Sequence, residues 1–151
     1  MRIYAESSAI LAWLLGEAVG EVARHQLSGA ESVFTSVLTL VECERALIRA
    51  RTLEEVAEVE LADRRRILAK ASAHWHRVPL RDEILDRAKR PFPVEPVRML
   101  DAIHLASALV ARSAVPDVVL LTLDRRIREA SGGLGFQVVP PGLGCTVWMH
   151  C

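Results

Sequence analysis

Lysine is nearly missing from this chain: Lys70 and Lys89 are the only two among 19 Lys and Arg residues. The positive charge is therefore almost all arginine. Arginine suits bidentate phosphate or carboxylate contacts, although arginine-rich composition is also a common genomic bias. Aromatic residues are scarce as well, 5% against a hydrophobic fraction of 51%, so the core is expected to be aliphatic. Net charge is absent, with 19 acidic residues balancing the basic ones, and whole-chain charge argues neither for nor against a nucleic-acid partner. The three cysteines, Cys43, Cys145 and Cys151, are odd in number, and a disulfide framework is not expected. No uninterrupted apolar run is long enough to span a bilayer, and Glu6 soon breaks the apolar opening. The sequence reads as having no signal peptide and no membrane association, with the cytoplasm as the expected compartment. At 151 residues the chain can bury one good core.

Strands and helices alternate in the pattern. Arg2–Ala5 reads as a short buried strand, with Ser7 and Ser8 offering N-cap hydroxyls to a helix that stops near Gly16. Helical spacing resumes from Val19 to Leu27. Ser32–Thr35 is a second strand, and Ser36 caps a helix from Val37 to about Arg51. Thr52, with Glu55 three residues on, is expected to open a charged helix running to about Ala73. A weak strand near His74–Val78 and a short helix over Leu80–Lys89 follow. Three prolines forbid regular helix across Pro91–Pro96. Val97–Ser113 is a strong helix and Val118–Leu121 the clearest strand. Asp124–Ala130 is helical up to Gly132-Gly133, and Phe136–Val139 is a last strand. Such alternation implies a three-layer α/β/α sandwich on a mostly parallel sheet. Residues 1–140 form the domain and 141–151 a tail. The soft-ligand residues Cys145, His150 and Cys151 in that tail match no zinc spacing.

Four apolar stretches each carry a carboxylate: Glu6 after Ile3-Tyr4-Ala5, Glu42 after Leu40-Val41, Asp101 after Met99-Leu100, and Asp124 after Leu121-Thr122-Leu123. Glu6 and Asp124 each follow a strand at its carboxyl end, where parallel sheets bind ligands. Glu42 shares a helix face with Arg45 and Arg49, and Asp101 one with His104, Leu105 and Ala108. If both helix faces turn to the strand ends, four carboxylates converge and can hold Mg²⁺ or Mn²⁺ with water. Taken singly, the same acids have plainer readings. Glu6 and Asp124 can favour helix dipoles, Glu42 can pair with Arg45, and Asp101 can be a first-turn acid.

These segments resemble the PIN-domain nucleases, especially the VapC-like toxins of bacterial and archaeal toxin–antitoxin pairs. The resemblance rests on Tyr4-Ala5-Glu6-Ser7-Ser8-Ala9, Leu40-Val41-Glu42-Cys43-Glu44-Arg45-Ala46-Leu47 and Thr122-Leu123-Asp124-Arg125-Arg126. Leu100-Asp101-Ala102-Ile103-His104-Leu105-Ala106 is the most specific match. It covers nearly the whole chain, from residue 3 to about residue 128. The resemblance implies Mg²⁺- or Mn²⁺-dependent RNA cleavage, a homodimer and a small antitoxin partner. It places Glu6, Glu42, Asp101 and Asp124 as catalytic metal ligands, with Ser8, Arg45, Arg49 and Arg125 toward the substrate. One departure stands out: Glu6 occupies a position where the family usually has aspartate, and its extra methylene extends the carboxylate by about 1.5 Å.

The departure leaves a second function open, an inert module that binds RNA or an antitoxin-like partner without turnover. A response-receiver phosphoryl-transfer domain ranks last, because it needs a lysine after a late strand and neither Lys70 nor Lys89 stands there. His104 is either a hydrogen-bonding support one turn from Asp101 or a satisfied structural histidine. Arg125, Arg126 and Arg128 can meet RNA phosphates or antitoxin carboxylates, or can form a solvated helix face.

Overall fold

Strands separated by helical crossovers favour parallel pairing, and the five strands among the described residues are all parallel. The computed structural model describes residues 1–53 and 55–142. The strands are β1 (Arg2–Ala5), β2 (Ser32–Ser36), β3 (His76–Val78), β4 (Val118–Leu121) and β5 (Val138–Val139). Their order across the sheet is β3-β2-β1-β4-β5, parallel throughout. The helices are α1 (Ser7–Leu14), α2 (Gly20–Ser28), α3 (Val37–Thr52), α4 (Glu58–Ser72), α5 (Asp82–Ala88), α6 (Met99–Ala114) and α7 (Arg125–Gly133).

Strand alternation divides the core into two layers. Ile3 and Ala5 pack with Val119 and Leu121 against Ala9, Ile10 and Ala12 of α1, with Ala23, Cys43 and Leu68 from α2, α3 and α4 behind them. Tyr4 turns to the opposite face. It joins Val118, Leu120 and the α6 residues Ala102, Leu105 and Ala108, with Ile127 of α7. This is the three-layer α/β/α sandwich expected from the pattern, around the predicted aliphatic core.

Several element ends differ from expectation. α1 is capped by the Glu6 side chain, which accepts from the Ser8 backbone N–H (3.1 Å), rather than by a serine hydroxyl. Thr52 does not open a new helix. Its hydroxyl donates back to the Ile48 carbonyl (2.9 Å), the bond of a residue still inside α3. The next helix begins later, where Glu60 Oε2 accepts from the Ala57 backbone N–H at 3.1 Å. Gly132 and Gly133 belong to the last turn of α7. It is Gly135, at φ 75°, that takes the left-handed conformation before β5. β5 is confined to Val138–Val139, and Pro140 follows with no N–H for a ladder.

Of the expected tail, Pro141 and Gly142 are described, while Cys145, His150 and Cys151 lie outside the described residues. No helix among the described residues is long and apolar enough to cross a membrane. The strand order matters for function. From central β1 the chain builds outward through β2 and β3, then returns to β4 on the other side of β1. The crevice beyond the carboxyl ends of β1 and β4 is the switch point at which such sheets bind ligands.

Candidate active site at the carboxyl edge of the sheet

Register builds the first part of the site. Ala5 pairs with Leu121, so Glu6 and Thr122 leave the sheet side by side, with the Glu6 N–H donating to the Leu121 carbonyl at 3.0 Å. Glu6 is only 4% exposed. Its Oε1 accepts from Ser7 Oγ (2.6 Å) and the Ser8 N–H (3.1 Å); its Oε2 accepts from Thr122 Oγ1 (2.8 Å) and from Ser8 Oγ. A buried carboxylate is tolerable when donors meet it in this way.

Ser8 ties this cage to the next acid. Its Oγ accepts the backbone N–H groups of Leu123 (2.9 Å) and Asp124 (3.1 Å), and Thr122 Oγ1 also accepts from Asp124 N–H at 3.1 Å. The hydroxyl at Ser8 is thus committed within the protein. Asp124 caps α7, its Oδ1 accepting from Arg126 N–H (2.8 Å) and Ile127 N–H (3.1 Å).

Two helices deliver the remaining acids. Asp101 lies in the first turn of α6, half-buried. Burial first, then the charges of Asp124 and Glu6, push its carboxyl up to about 6 from the ordinary 3.8, against opposing pulls from His104 and Arg98. Crowding of like charges of this kind is how neighbouring carboxylates register one another. Glu42 comes from α3. It does not pair with Arg45; its Oε2 lies 2.5 Å from Nε2 of His104, a ring only 2% exposed. His104 Nδ1 faces the buried Tyr4 hydroxyl at 3.4 Å. Burial opposes a charge on His104. The hydrogen bond to Glu42 and the charges of Glu6, Glu42 and Asp101 outweigh it, holding the imidazole pKa above its ordinary value. Beside Glu42, the Cys43 thiol is pushed up to about 12, chiefly by burial, and is inert.

The arginines divide. Arg45 and Arg49 are exposed on α3. Arg125 opens α7 and pairs with Glu129 (3.1 Å). Arg128 is not turned outward for phosphate. Its guanidinium donates to the carbonyls of Thr122 (2.8 Å) and Pro140 (2.7 Å), tying together the exits of β4 and β5. Residue-by-residue reading gave no role to Thr122 or Tyr4. Thr122 meets Glu6 through the pairing of Ala5 with Leu121, a register that is not written in either segment alone.

The donor chemistry can be tested against a divalent cation. The cluster is all carboxylate, which suits a hard ion such as Mg²⁺ or Mn²⁺. Magnesium needs only one or two carboxylates and keeps its waters. Among the described residues no three His, Cys, Asp or Glu side chains form a ready-made ligand group. Glu6 and Glu42 instead turn oxygens to protein donors. An ion held by one or two carboxylates and water fits these residues.

An acidic cluster at the switch point of a parallel sheet, with acids from both flanking layers, coincides with a family match over residues 3–133 to the PIN domain. The chain belongs to the PIN domain family. It is 34% identical over 142 residues to Ribonuclease VapC35 of Mycobacterium tuberculosis (strain CDC 1551 / Oshkosh), covering 93% of this chain and 97% of that protein. It is 34% identical over 139 residues to Ribonuclease VapC46 of Mycobacterium tuberculosis (strain ATCC 25618 / H37Rv), covering 92% and 97%. In solved structures the fold resembles a toxin-antitoxin complex from Klebsiella pneumoniae, with TM-score 0.60, 17% identity, and coverage of 93% of this chain and 98% of that one. In this PIN domain the four predicted acids come from the β1–α1 junction, α3, α6 and the β4–α7 junction, and meet at one edge.

Proposed function

We propose that this PIN domain is a metal-dependent endoribonuclease, the toxin of a toxin–antitoxin pair. The observation that carries the reading is the meeting of Glu6, Glu42, Asp101 and Asp124 at the carboxyl edge, with Asp101 raised by burial and then by its acidic neighbours. Relatives named as VapC ribonucleases support the choice of RNA. When bound, Mg²⁺ or Mn²⁺ supplies Lewis-acid activation of water and charge neutralisation at the phosphate. The chain's own part is positioning. The four acids wall the ion's place. To Arg45 and Arg49 on α3 and Arg125 on α7 we assign contacts with the phosphates of a bound strand. A small antitoxin, a homodimeric assembly and the cytoplasm complete the proposal. The likeness to a structure titled as a toxin-antitoxin complex supports the antitoxin.

A second reading, an inert RNA- or antitoxin-binding module, is favoured by one observation: the Glu6 carboxylate is fully engaged by protein donors. Cleavage of single-stranded RNA separates the two. Wild type should cut with Mg²⁺ or Mn²⁺ and not with EDTA, and Asp101→Asn should lose roughly a hundredfold or more, as misplacing catalytic groups does. RNA that is bound but left intact at every metal concentration would establish the inert module instead.

A further inference from the structure

We infer that the two aspartates, Asp101 and Asp124, are direct protein ligands of the ion, whereas Glu6 stays on its protein donors and acts on it only through water. The inference rests on the metal-dependent reading above and assigns roles within that site.

An ionised carboxylate offers about four lone-pair positions, and each can take one donor. At Glu6 all of them are used. Ser7 Oγ and Ser8 N–H occupy Oε1, while Ser8 Oγ and Thr122 Oγ1 occupy Oε2. The longer side chain of glutamate is what lets one carboxylate cap α1 and cross to Thr122 beyond β4. To ligate an ion, Glu6 would have to abandon that cap and leave buried hydroxyls without their acceptor. Such a loss is costly in a site this enclosed. Glu42 is held at one oxygen only. His104 fixes its Oε2, and His104 is itself backed by Tyr4 in the buried layer.

The aspartates are not so engaged. Among the described residues no donor is bonded to the Asp101 carboxylate, and Asp124 spends only Oδ1 on capping α7, leaving Oδ2 open. Two carboxylates with water making up the remainder is an ordinary way to hold magnesium. In this arrangement the hydroxyl cage, and not the ion, neutralises Glu6. That removes the difficulty posed by glutamate in place of the family's usual aspartate.

The test compares residue types in Glu42→Gln protein without RNA, which leaves Glu6 as the glutamate among the four acids. Protein made by cell-free synthesis carries side-chain ¹³C-carboxyl label in either aspartate or glutamate, and infrared difference spectra are recorded on adding Mn²⁺. The Mn²⁺-induced carboxylate band should move with the aspartate label and stay put with the glutamate label. A band that moves with the glutamate label overturns the inference while leaving the metal-dependent reading intact. No Mn²⁺-induced change at millimolar metal, in wild type and Glu42→Gln alike, removes both. A second measurement counts the waters on bound Mn²⁺ from its EPR linewidth in ¹⁷O-enriched water. Glu6→Gln should keep the wild-type count, whereas Asp101→Asn should gain about one water for the lost carboxylate oxygen or fail to bind. A gained water in Glu6→Gln would also overturn the assignment.

Discussion

Without a cation, Asp101 is held back from ionising by burial and by the charges of Asp124 and Glu6. The unfolded chain releases that proton near the ordinary aspartate value, and the folded chain keeps it up to about 6. Across this window the native state binds more protons, so stability falls as pH rises. The side chain is half-buried, and after discounting for solvent screening the loss is on the order of 1–2 kcal/mol. His104 adds to the trend. Its pKa is raised, so its contribution is complete below the ordinary histidine value and is lost as pH climbs through the folded one. In EDTA the melting temperature should therefore drop between about pH 4.5 and pH 7. Asp101→Asn should flatten the acid part of that profile and melt higher than wild type at neutral pH. Parallel profiles for the two proteins would contradict the crowding of these acids.

Among the helices, α1 and α2 meet closely enough to dictate a residue type. A Cβ placed on Gly20 would stand 2.1 Å from the Ala12 carbonyl oxygen and 2.3 Å from its carbon, both backbone atoms that cannot swing aside. The start of α2 thus lies directly against α1, the helix whose N-terminus Glu6 caps. Gly20→Ala should force the two helices apart at a cost of about 3 kcal/mol, toward the upper end for overpacking. Urea denaturation would measure it. Because the displacement passes along α1 toward its cap, RNA cleavage by Gly20→Ala should fall as well. A variant as stable as wild type would mean that α2 docks with more freedom than this contact allows.

For the molecule as a whole, the proposed cation site would link metal binding to folding. An ion that binds only the assembled carboxyl edge stabilises the native state by about 2.7 kcal/mol at a hundred times its dissociation constant. For a domain of this size that corresponds to a rise of roughly 5–10 °C in melting temperature. Mn²⁺ or Mg²⁺ should produce such a rise in wild type and not in Asp101→Asn. A melting temperature unmoved across millimolar Mn²⁺ would count against the proposed site. The edge is assembled from the β1–α1 junction, α3, α6 and the β4–α7 junction, so the response reports the complete domain rather than any one segment.

Ile3-Tyr4-Ala5-Glu6 and Leu121-Thr122-Leu123-Asp124 each show, from their own residues, a buried strand followed by an acid. The alternation of such strands with helices was enough to imply the parallel three-layer fold. Those are local properties: side-chain period, chain stiffness and the position of a charge at a strand end are set by neighbours in sequence. What each acid touches is not local. The Glu6–Thr122 bond spans 116 positions and follows from the pairing of Ala5 with Leu121. The His104–Glu42 contact spans 62 and requires α6 to pack over Tyr4. Arg128, one of three similar arginines in sequence, is drawn to two carbonyls by the exits of β4 and β5. The sequence by itself determined which residues bring charge to the carboxyl edge. Only the tertiary structure decided which oxygens spend that charge on protein donors and which stay open, because hydrogen bonds between distant segments depend on strand register and helix packing.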